Sequence, residues 1–579
     1  MRRGSGSTKE VAVLLNPKTE QFRHLDDHSR RIMKKTIDFF ERKGRHRLKQ
    51  DHFDRVWYAD FLDFIKENNI LADLLTPPEY AATGMHARWD TFRNCDFNEI
   101  LGFYGLAYWY TWQVSILGLG PIWMSPNEEA KQRAARELAE GGIFAFGLSE
   151  KAHGADLYSS EMALTPLNEG HYMADGGKYY IGNGNKAALV STFGKNSETG
   201  DYVFFMVSPA HENYELIQNV VQWQSYVAEY TLHSYPLTDA DILSSGSDAW
   251  DAALNTVNVG KYNLGWASIG ICTHSFYEAI NHAANRCLYG RYVTDFPHIQ
   301  RFFVDAYCRL AAMRMFARRA SDYMRSASPN DRRYLLYNPI VKMKVTTQGE
   351  EVINLLWDII AAKGFEKNVY FENATADIRA LPKLEGTVHV NMALIVKFMA
   401  GYFFNPDDSL PDIPECSLPN HDSFLFNQGP TRGLGQIRFH DYRSAYETVD
   451  LPNAVIFKRQ IKALTSLLLS APPDKQQSKD MDFLLSLGEL FTLVAYGQLL
   501  IEKSRIDQID DDLMDQIFDF MVRDFSKYAL NLFSHPRSNR AQMDICLEML
   551  EKPTESRNRF ERVWQNHVYA LKNTYTMNP

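Results

Sequence analysis

Cysteine is scarce in this chain of 579 residues: Cys95, Cys272, Cys287, Cys308, Cys416 and Cys546 are the only six, and no two form a Cys-x-x-Cys pair. That excludes a zinc site of paired thiols and a dense disulfide framework, and a reducing, cytoplasmic compartment is expected. Positive charge is in deficit, with 62 Lys and Arg against 71 Asp and Glu and a formal charge of -9. The chain therefore offers no electrostatic footprint for nucleic acid or an anionic membrane surface. Its 17 histidines show no His-Glu-x-x-His or comparable spacing, so no metal is expected. Long apolar runs are nearly absent too. One uncharged stretch, Ile100 to Asn127, could span a bilayer by length, but Gly102, Gly105, Gly118, Gly120, Pro121 and the central Gln113 favour two buried core helices. Membrane contact is not expected. Arg2 and Arg3 are followed by no apolar core, so the N-terminus does not read as a secretory leader.

What is present is material for a large core, with 45% hydrophobic and 13% aromatic residues. After a tail over 1–25, residues 26–141 show helical spacing, as in Phe61, Leu62, Phe64 and Ile65. Over 142–246 the period shortens and turn dipeptides recur, among them Glu169-Gly170, Gly176-Gly177 and Thr199-Gly200, which predicts a small antiparallel β domain. Helical spacing returns over 247–402, with long segments around 262–285, 296–326, 340–363 and 388–398 that predict a four-helix bundle. Residues 403–452, with Pro406, Pro411, Pro414, Pro419 and Pro430, read as a linker, and 453–579 as an additional helical domain. The fold class is α+β, mostly α. Gly429 to Gly435 has the glycines of a phosphate loop but lacks its Lys-Ser/Thr.

Four ordered blocks go further. Phe146 to Leu157 resembles the first signature of the acyl-CoA dehydrogenase family, in which Thr or Ser precedes Glu and a Gly, a small residue and Asp follow. Asp175 to Ala187 is similar to that family's second β-domain signature. Arg286, Tyr289 and Gly290, then Ile299 and Gln300, match its Arg-x-x-aromatic-Gly block and the Gln beyond it. Lys363-Gly364-Phe365 is followed, 20 residues past the Phe, by Glu385-Gly386-Thr387, the place of the family's catalytic carboxylate. The resemblance covers about residues 26–399, and the C-terminal helices are similar in size to the extension of the longer, long-chain members.

The resemblance implies an N-terminal helical domain, a middle antiparallel β-barrel and a C-terminal four-helix bundle. It also implies FAD and an acyl thioester, carried by coenzyme A or an acyl carrier protein, that loses a proton and a hydride from neighbouring carbons. Glu385 is the implied base, with Gly386 and Lys261 on the substrate side. Phe146, Leu148, Ser149, Tyr180, Gly182 and Thr387 are implied around the flavin, with Gly154 and Ala155 near the pyrophosphate. Arg286, Tyr289 and Gln300 would reach the FAD of a partner subunit in a homodimer, and electrons would leave to an external electron-transfer flavoprotein. Some members take the base from another helix; here that position is Gly260, without a carboxylate. The departures are Gly182 for Thr, Tyr180 for Trp, Ala155 for Ser, Pro297 for a Gln, and Asp358, Ala361 and Ala362 where the family has Gln and two glycines. They leave two alternatives open, a flavin oxidase or monooxygenase on this scaffold, and a non-catalytic relative acting as a binding or assembly module.

Overall fold

Asp26 opens the helical part of the chain by accepting the N–H groups of His28 and Ser29, capping α1 (Asp27–Phe53) where its first N–H groups have no partner. The computed structural model describes residues 14–579 except 85, 155 and 417. The N-terminal layer continues with α2 (Ala59–Glu67), α3 (Ile70–Leu75), α4 (Thr91–Tyr104), α5 (Leu106–Trp123) and α6 (Glu128–Ala139). The uncharged run is thus two buried helices, α4 and α5, parted at Gly105. Both are buried on every face, α5 as an uncharged helix and α4 with Asp96 and Glu99 paired to Arg318 and Arg314.

The β domain follows: β1 (Phe144–Gly147), β2 (Ala163–Asn168), β3 (His171–Gly182), β4 (Leu189–Asn196), β5 (Tyr202–Val207), β6 (Tyr214–Asn219), β7 (Val227–Thr238) and β8 (Ile242–Ser245). They form one sheet in the order β6-β7-β3-β2-β4-β5-β8. Composition and turns suggested wholly antiparallel strands, yet β1 and β2 both run parallel to β4. The long excursions from β1 to β2 and through the β3 turn allow this, because parallel neighbours need more than a hairpin between them. The end strands β6 and β8 are not paired with each other among the described residues, so the sheet is open rather than a closed barrel.

The bundle comprises α7 (Gly246–Asn285), a small hairpin of β9 (Cys287–Leu288) and β10 (Arg291–Tyr292), then α8 (Pro297–Arg325), α9 (Tyr334–Ile340) and α10 (Thr346–Ile360), the last two joined through a π turn at Val341–Val345. Its fourth wall is α11 (Tyr370–Ala380), which packs on α7 and α10, and not the segment near 388–398. Pro382 and Gly386 break the chain after α11, so α12 (Val388–Ile395) turns toward the C-terminal helices instead. After α13 (Met399–Phe404), the proline-rich stretch holds only single turns and α14 (Arg443–Glu447). The last unit is α15 (Pro452–Ser470), α16 (Met481–Asp507), α17 (Asp511–Ser534), α18 (Arg540–Glu548) and α19 (Arg557–Val563). By length and composition α16 could cross a membrane, but most of it is buried among α8, α12 and α17. The chain end returns to α1, where the Arg45 N–H donates to Asn578 and Pro579 occupies the space a side chain at Gly44 would need.

A buried ionic cluster fastens this last unit to the bundle. Arg309 of α8 forks onto Asp524 of α17 at 2.8 and 2.9 Å and reaches Glu351 of α10 at 2.7 Å, while Lys344 lies 3.8 Å from Asp524. The guanidinium holds the Asp524 carboxyl below the usual carboxylate range against the opposing effect of burial. Removing one member of such a cluster strands the others out of water. Asp524→Ala is therefore expected to cost about 3–5 kcal/mol. The check is a urea titration in which the midpoint falls; an unchanged midpoint would show that the clamp contributes nothing.

Candidate active site

One stripe of α5 organises the site. Tyr110, Gln113, Val114 and Leu117 recur at three- and four-residue spacing and so share a face. The adjacent stripe, Thr111, Ser115 and Gly118, faces the sheet: Ser115 Oγ accepts the Phe144 N–H at 3.1 Å, and a side chain at Gly118 would strike the Ala145 backbone at 2.7 Å. Asn183, just past β3, completes the join. Its amide donates to the carbonyls of Thr111 at 3.0 Å and Phe144 at 2.9 Å, and its oxygen accepts the Thr111 hydroxyl at 2.8 Å. The end of β3 is therefore pinned against α5. A Cβ on Gly182 would lie 2.7 Å from both Tyr110 Cε1 and Val114 Cγ2, so glycine is required there by packing.

On the same stripe Gln113 and Leu117 meet Glu385. Gln113 Nε2 donates to Glu385 Oε1 at 2.6 Å and to the Gly260 carbonyl at 3.2 Å. Glu385 Oε2 is buried and has no hydrogen-bond partner. A side chain on Gly260 would meet Leu117 at 2.7 Å, Gln113 at 3.0 Å and Glu385 Oε2 at 3.1 Å, so Gly260 lies directly against this group. Glu385 and Gly386 both adopt left-handed backbone angles, φ 53° and 88°. Lys342, in the π turn, holds this corner by donating to the carbonyls of Pro382 and Gly386, each at 2.6 Å. Lys261 is buried close by rather than solvated.

The electrostatics follow from burial. Desolvation raises the Glu385 carboxyl to about 7, while the Gln113 hydrogen bond and the charges of Lys342 and Lys261 pull the other way. Burial likewise lowers Lys261 to about 8 and Lys342 to about 7, against the attraction of Glu385. The constellation is a carboxylate poised near neutrality with one free oxygen, which suits proton abstraction.

Of the other positions singled out in the sequence, Phe146 lies in β1 and stacks on Phe204, Leu148 and Ser149 follow the strand half-buried, and the Ser149 carbonyl accepts the Tyr179 N–H at 3.0 Å. Between Lys178 and Ile181 the β3–β7 register slips, so Tyr179 and Tyr180 together oppose Glu229. This bulge leaves Tyr180 at φ 64° and 60% exposed beside Gly182. Gly154 has open space around it at φ 53°, and Ala155 lies outside the described residues. Thr387 is exposed at the start of α12. Tyr180 is thus an exposed aromatic on a bulged strand, while Gly182 beside it and Glu385, with its free buried oxygen, both bear on one face of α5. Arg286 and Tyr289 sit beyond the far end of α7, Tyr289 96% exposed, and Gln300 turns back onto the Thr294 carbonyl. Along α7 the distance from Lys261 to Arg286 is roughly 37 Å, so this second group is not brought to Glu385 within one protomer.

Exposed Asp358 lies in the last turn of α10, and exposed Ala361 ends that helix at φ 54°, ψ −138°, a conformation suited to glycine. A methyl group is carried there on a backbone shape that favours glycine. Glu150, His153 and Glu161 approach one another closely, but Glu150 is already engaged by Lys178 at 2.8 Å and by the N–H groups of Glu161 and Met162, so the group serves as a buried ion pair. Sequence reasoning missed Tyr110, Gln113 and Lys342. The signal for Gln113 was a side-chain amide in an otherwise uncharged, largely apolar helix.

Residues 248–400 match the family model described as acyl-CoA dehydrogenase, C-terminal domain. An acyl-CoA dehydrogenase of Bacillus subtilis is 23% identical over 295 residues, 49% of this chain and 76% of that protein. The very long-chain specific mitochondrial enzyme of Rattus norvegicus is 23% identical over 357 residues, 58% of this chain and 52% of that protein. The fold of an acyl-CoA dehydrogenase complexed with FAD from Bacillus anthracis superposes with a TM-score of 0.73 at 15% identity, covering 98% of this chain and 99% of that one. That likeness takes in the C-terminal helices as well.

Ala361→Gly should relieve the backbone strain after α10 and stabilise the protein by about 1 kcal/mol. A rise in melting temperature checks this, and a fall would mean the methyl group is accommodated without strain.

Proposed function

We propose that this chain, which is similar to the acyl-CoA dehydrogenase family, is a FAD-dependent oxidoreductase that desaturates an acyl thioester between its α and β carbons, with Glu385 as the proton-abstracting base. The observation that carries this reading is the Glu385 carboxyl, with Oε1 fixed by Gln113, Oε2 free and buried, and a proton affinity near neutral pH. FAD, when bound, accepts the hydride from the β carbon. Phe146, Leu148, Ser149, Tyr180, Gly182 and Thr387 would hold its ring and Gly154 and Ala155 its phosphates.

The weakly acidic α C–H demands a base that is aimed, ionised and shielded from water. Burial supplies the shielding and raises the basicity of Glu385, while Gln113 and Lys342 fix its direction. As the α proton leaves, negative charge grows on the thioester oxygen; the Glu385 backbone N–H and the positive charges of Lys261 and Lys342 favour that charge. Gly386 lets the backbone come close to the thioester. The separation along α7 supports a homodimer in which Arg286, Tyr289 and Gln300 serve the partner's cofactor. Coenzyme A or an acyl carrier protein would carry the acyl group, and an electron-transfer flavoprotein would take the electrons.

A second reading, an oxidase on the same site, is favoured by Gly182, which brings no hydroxyl to the ring because Tyr110 occupies that space. Oxygen uptake during turnover separates the two. For either, Glu385→Gln is expected to retain FAD yet lose anaerobic bleaching of the flavin by acyl thioesters by at least about 1,000-fold. Since only the ionised carboxylate accepts the proton, the bleaching rate of the native protein should rise with pH through a midpoint near 7. Undiminished bleaching by Glu385→Gln would remove Glu385 from the mechanism.

A further inference from the structure

The hydrogen bond from Gln113 to Glu385 is the last link of a chain that starts at two tryptophans, one of them a helical turn away on α5. Trp109 and Trp112 donate their indole N–H groups to Asn98 Oδ1 at 2.8 and 3.0 Å. Asn98 Nδ2 donates to Asn263 Oδ1 at 2.8 Å and to the Asn94 carbonyl at 2.7 Å. Asn263 Nδ2 donates to Gln113 Oε1 at 2.7 Å, and Gln113 Nε2 donates to Glu385 Oε1 at 2.6 Å. Trp109, Trp112, Asn98, Asn263 and Gln113 are all buried, so no water competes for these groups.

The direction of this chain is fixed by chemistry. An amide can point either end at a neighbour, but an indole nitrogen only donates. Two indoles therefore oblige Asn98 to turn its oxygen toward them and its nitrogen toward Asn263. Asn263 must then present its oxygen to Asn98 and its nitrogen to Gln113, and Gln113 is left with its nitrogen facing Glu385. Were any amide reversed, two oxygens or two NH2 groups would face each other in a dry interior. Aligned amide dipoles also reinforce one another.

We propose that Gln113 is a positioning residue for Glu385 whose orientation is dictated by Trp109 and Trp112 through Asn98 and Asn263. The relay keeps a donor, never an acceptor, against Glu385 Oε1. That holds the carboxylate in one rotamer, leaves Oε2 as the oxygen that reacts, and restrains the proton affinity that burial raises. The other groups facing Glu385 are Tyr110 from α5, Lys261 from α7 and Lys342 from the π turn; both lysines act in the same direction as Gln113, and Tyr110 is neutral.

The proposal rests on Glu385 as the base, and its test separates the two claims. In the FAD-loaded protein, an infrared difference titration reads the Glu385 carboxyl, assigned by the band lost in Glu385→Gln. Gln113→Leu should move its midpoint up from near 7 by about one pH unit, and Asn263→Leu, which does not touch Glu385, by about half a unit. The acid limb of the flavin-bleaching profile should move with each. A shift in Gln113→Leu with none in folded Asn263→Leu would overturn the relay, as would no shift in either. Should Asn263→Leu fail to fold, Asn98→Leu, one link further away, carries the same expectation and the same refutation. Normal bleaching by Glu385→Gln would overturn the base, while the titrations would still decide the relay.

Discussion

A carboxylate taken out of water must be compensated by its surroundings or it takes up a proton, and Glu385 sits at that balance. Its compensation comes from three separate parts of the chain: an amide on α5, a lysine on α7 and a lysine in the π turn before α10. Each alone would leave the group either protonated or mobile. Together they require the N-terminal helical layer and the bundle to meet at one point. The Glu385-Gly386 corner, with two left-handed residues in succession, persists because Lys342 binds the carbonyls on both sides of it. The architecture thus converges on a single oxygen atom.

Helix α5 is the element through which that convergence passes. Thr111, Ser115 and Gly118 tie it to the sheet, and Tyr110, Gln113, Val114 and Leu117 line the adjacent stripe. Because one rigid helix bears on both Gly182 and Glu385, the spacing between the end of β3 and the Glu385 carboxyl is set by side chains four residues or fewer apart. Helix α5 needs no solvent face to do this; the glycines of its second half let the sheet and α7 come within van der Waals contact on the two flanks.

Much of this was legible in the sequence, and the illegible part has a physical reason. The helical layer, the β region, the returning helices and the spacing to Glu385 are written in periodicity and in short motifs. The direction of β1 and β2 relative to β4 is not, because alternation of side chains is the same in parallel and antiparallel strands. The fourth bundle helix, α11, was overlooked because the apolar residues near Val388 made a stronger pattern, although Pro382 and Gly386 turn that segment toward α16. Gln113 was read only as an argument against a membrane span. In a helix buried on all faces no amphipathic stripe marks the functional side, so the residues that complete the site are hidden by the uniform apolarity that buries them.

The departures from the family pattern can be explained in the same terms. Gly182 looks like a lost hydroxyl when the sequence is read alone. In three dimensions any side chain there would collide with Tyr110 and Val114, so the glycine and the tyrosine form one packing unit and neither is free to change without the other. Ala361 is the opposite case: a residue with a Cβ holds φ 54°, ψ −138°, which means that the neighbouring structure, and not the local residue, sets the conformation after α10. One departure is a compensated exchange and the other an uncompensated one that carries strain.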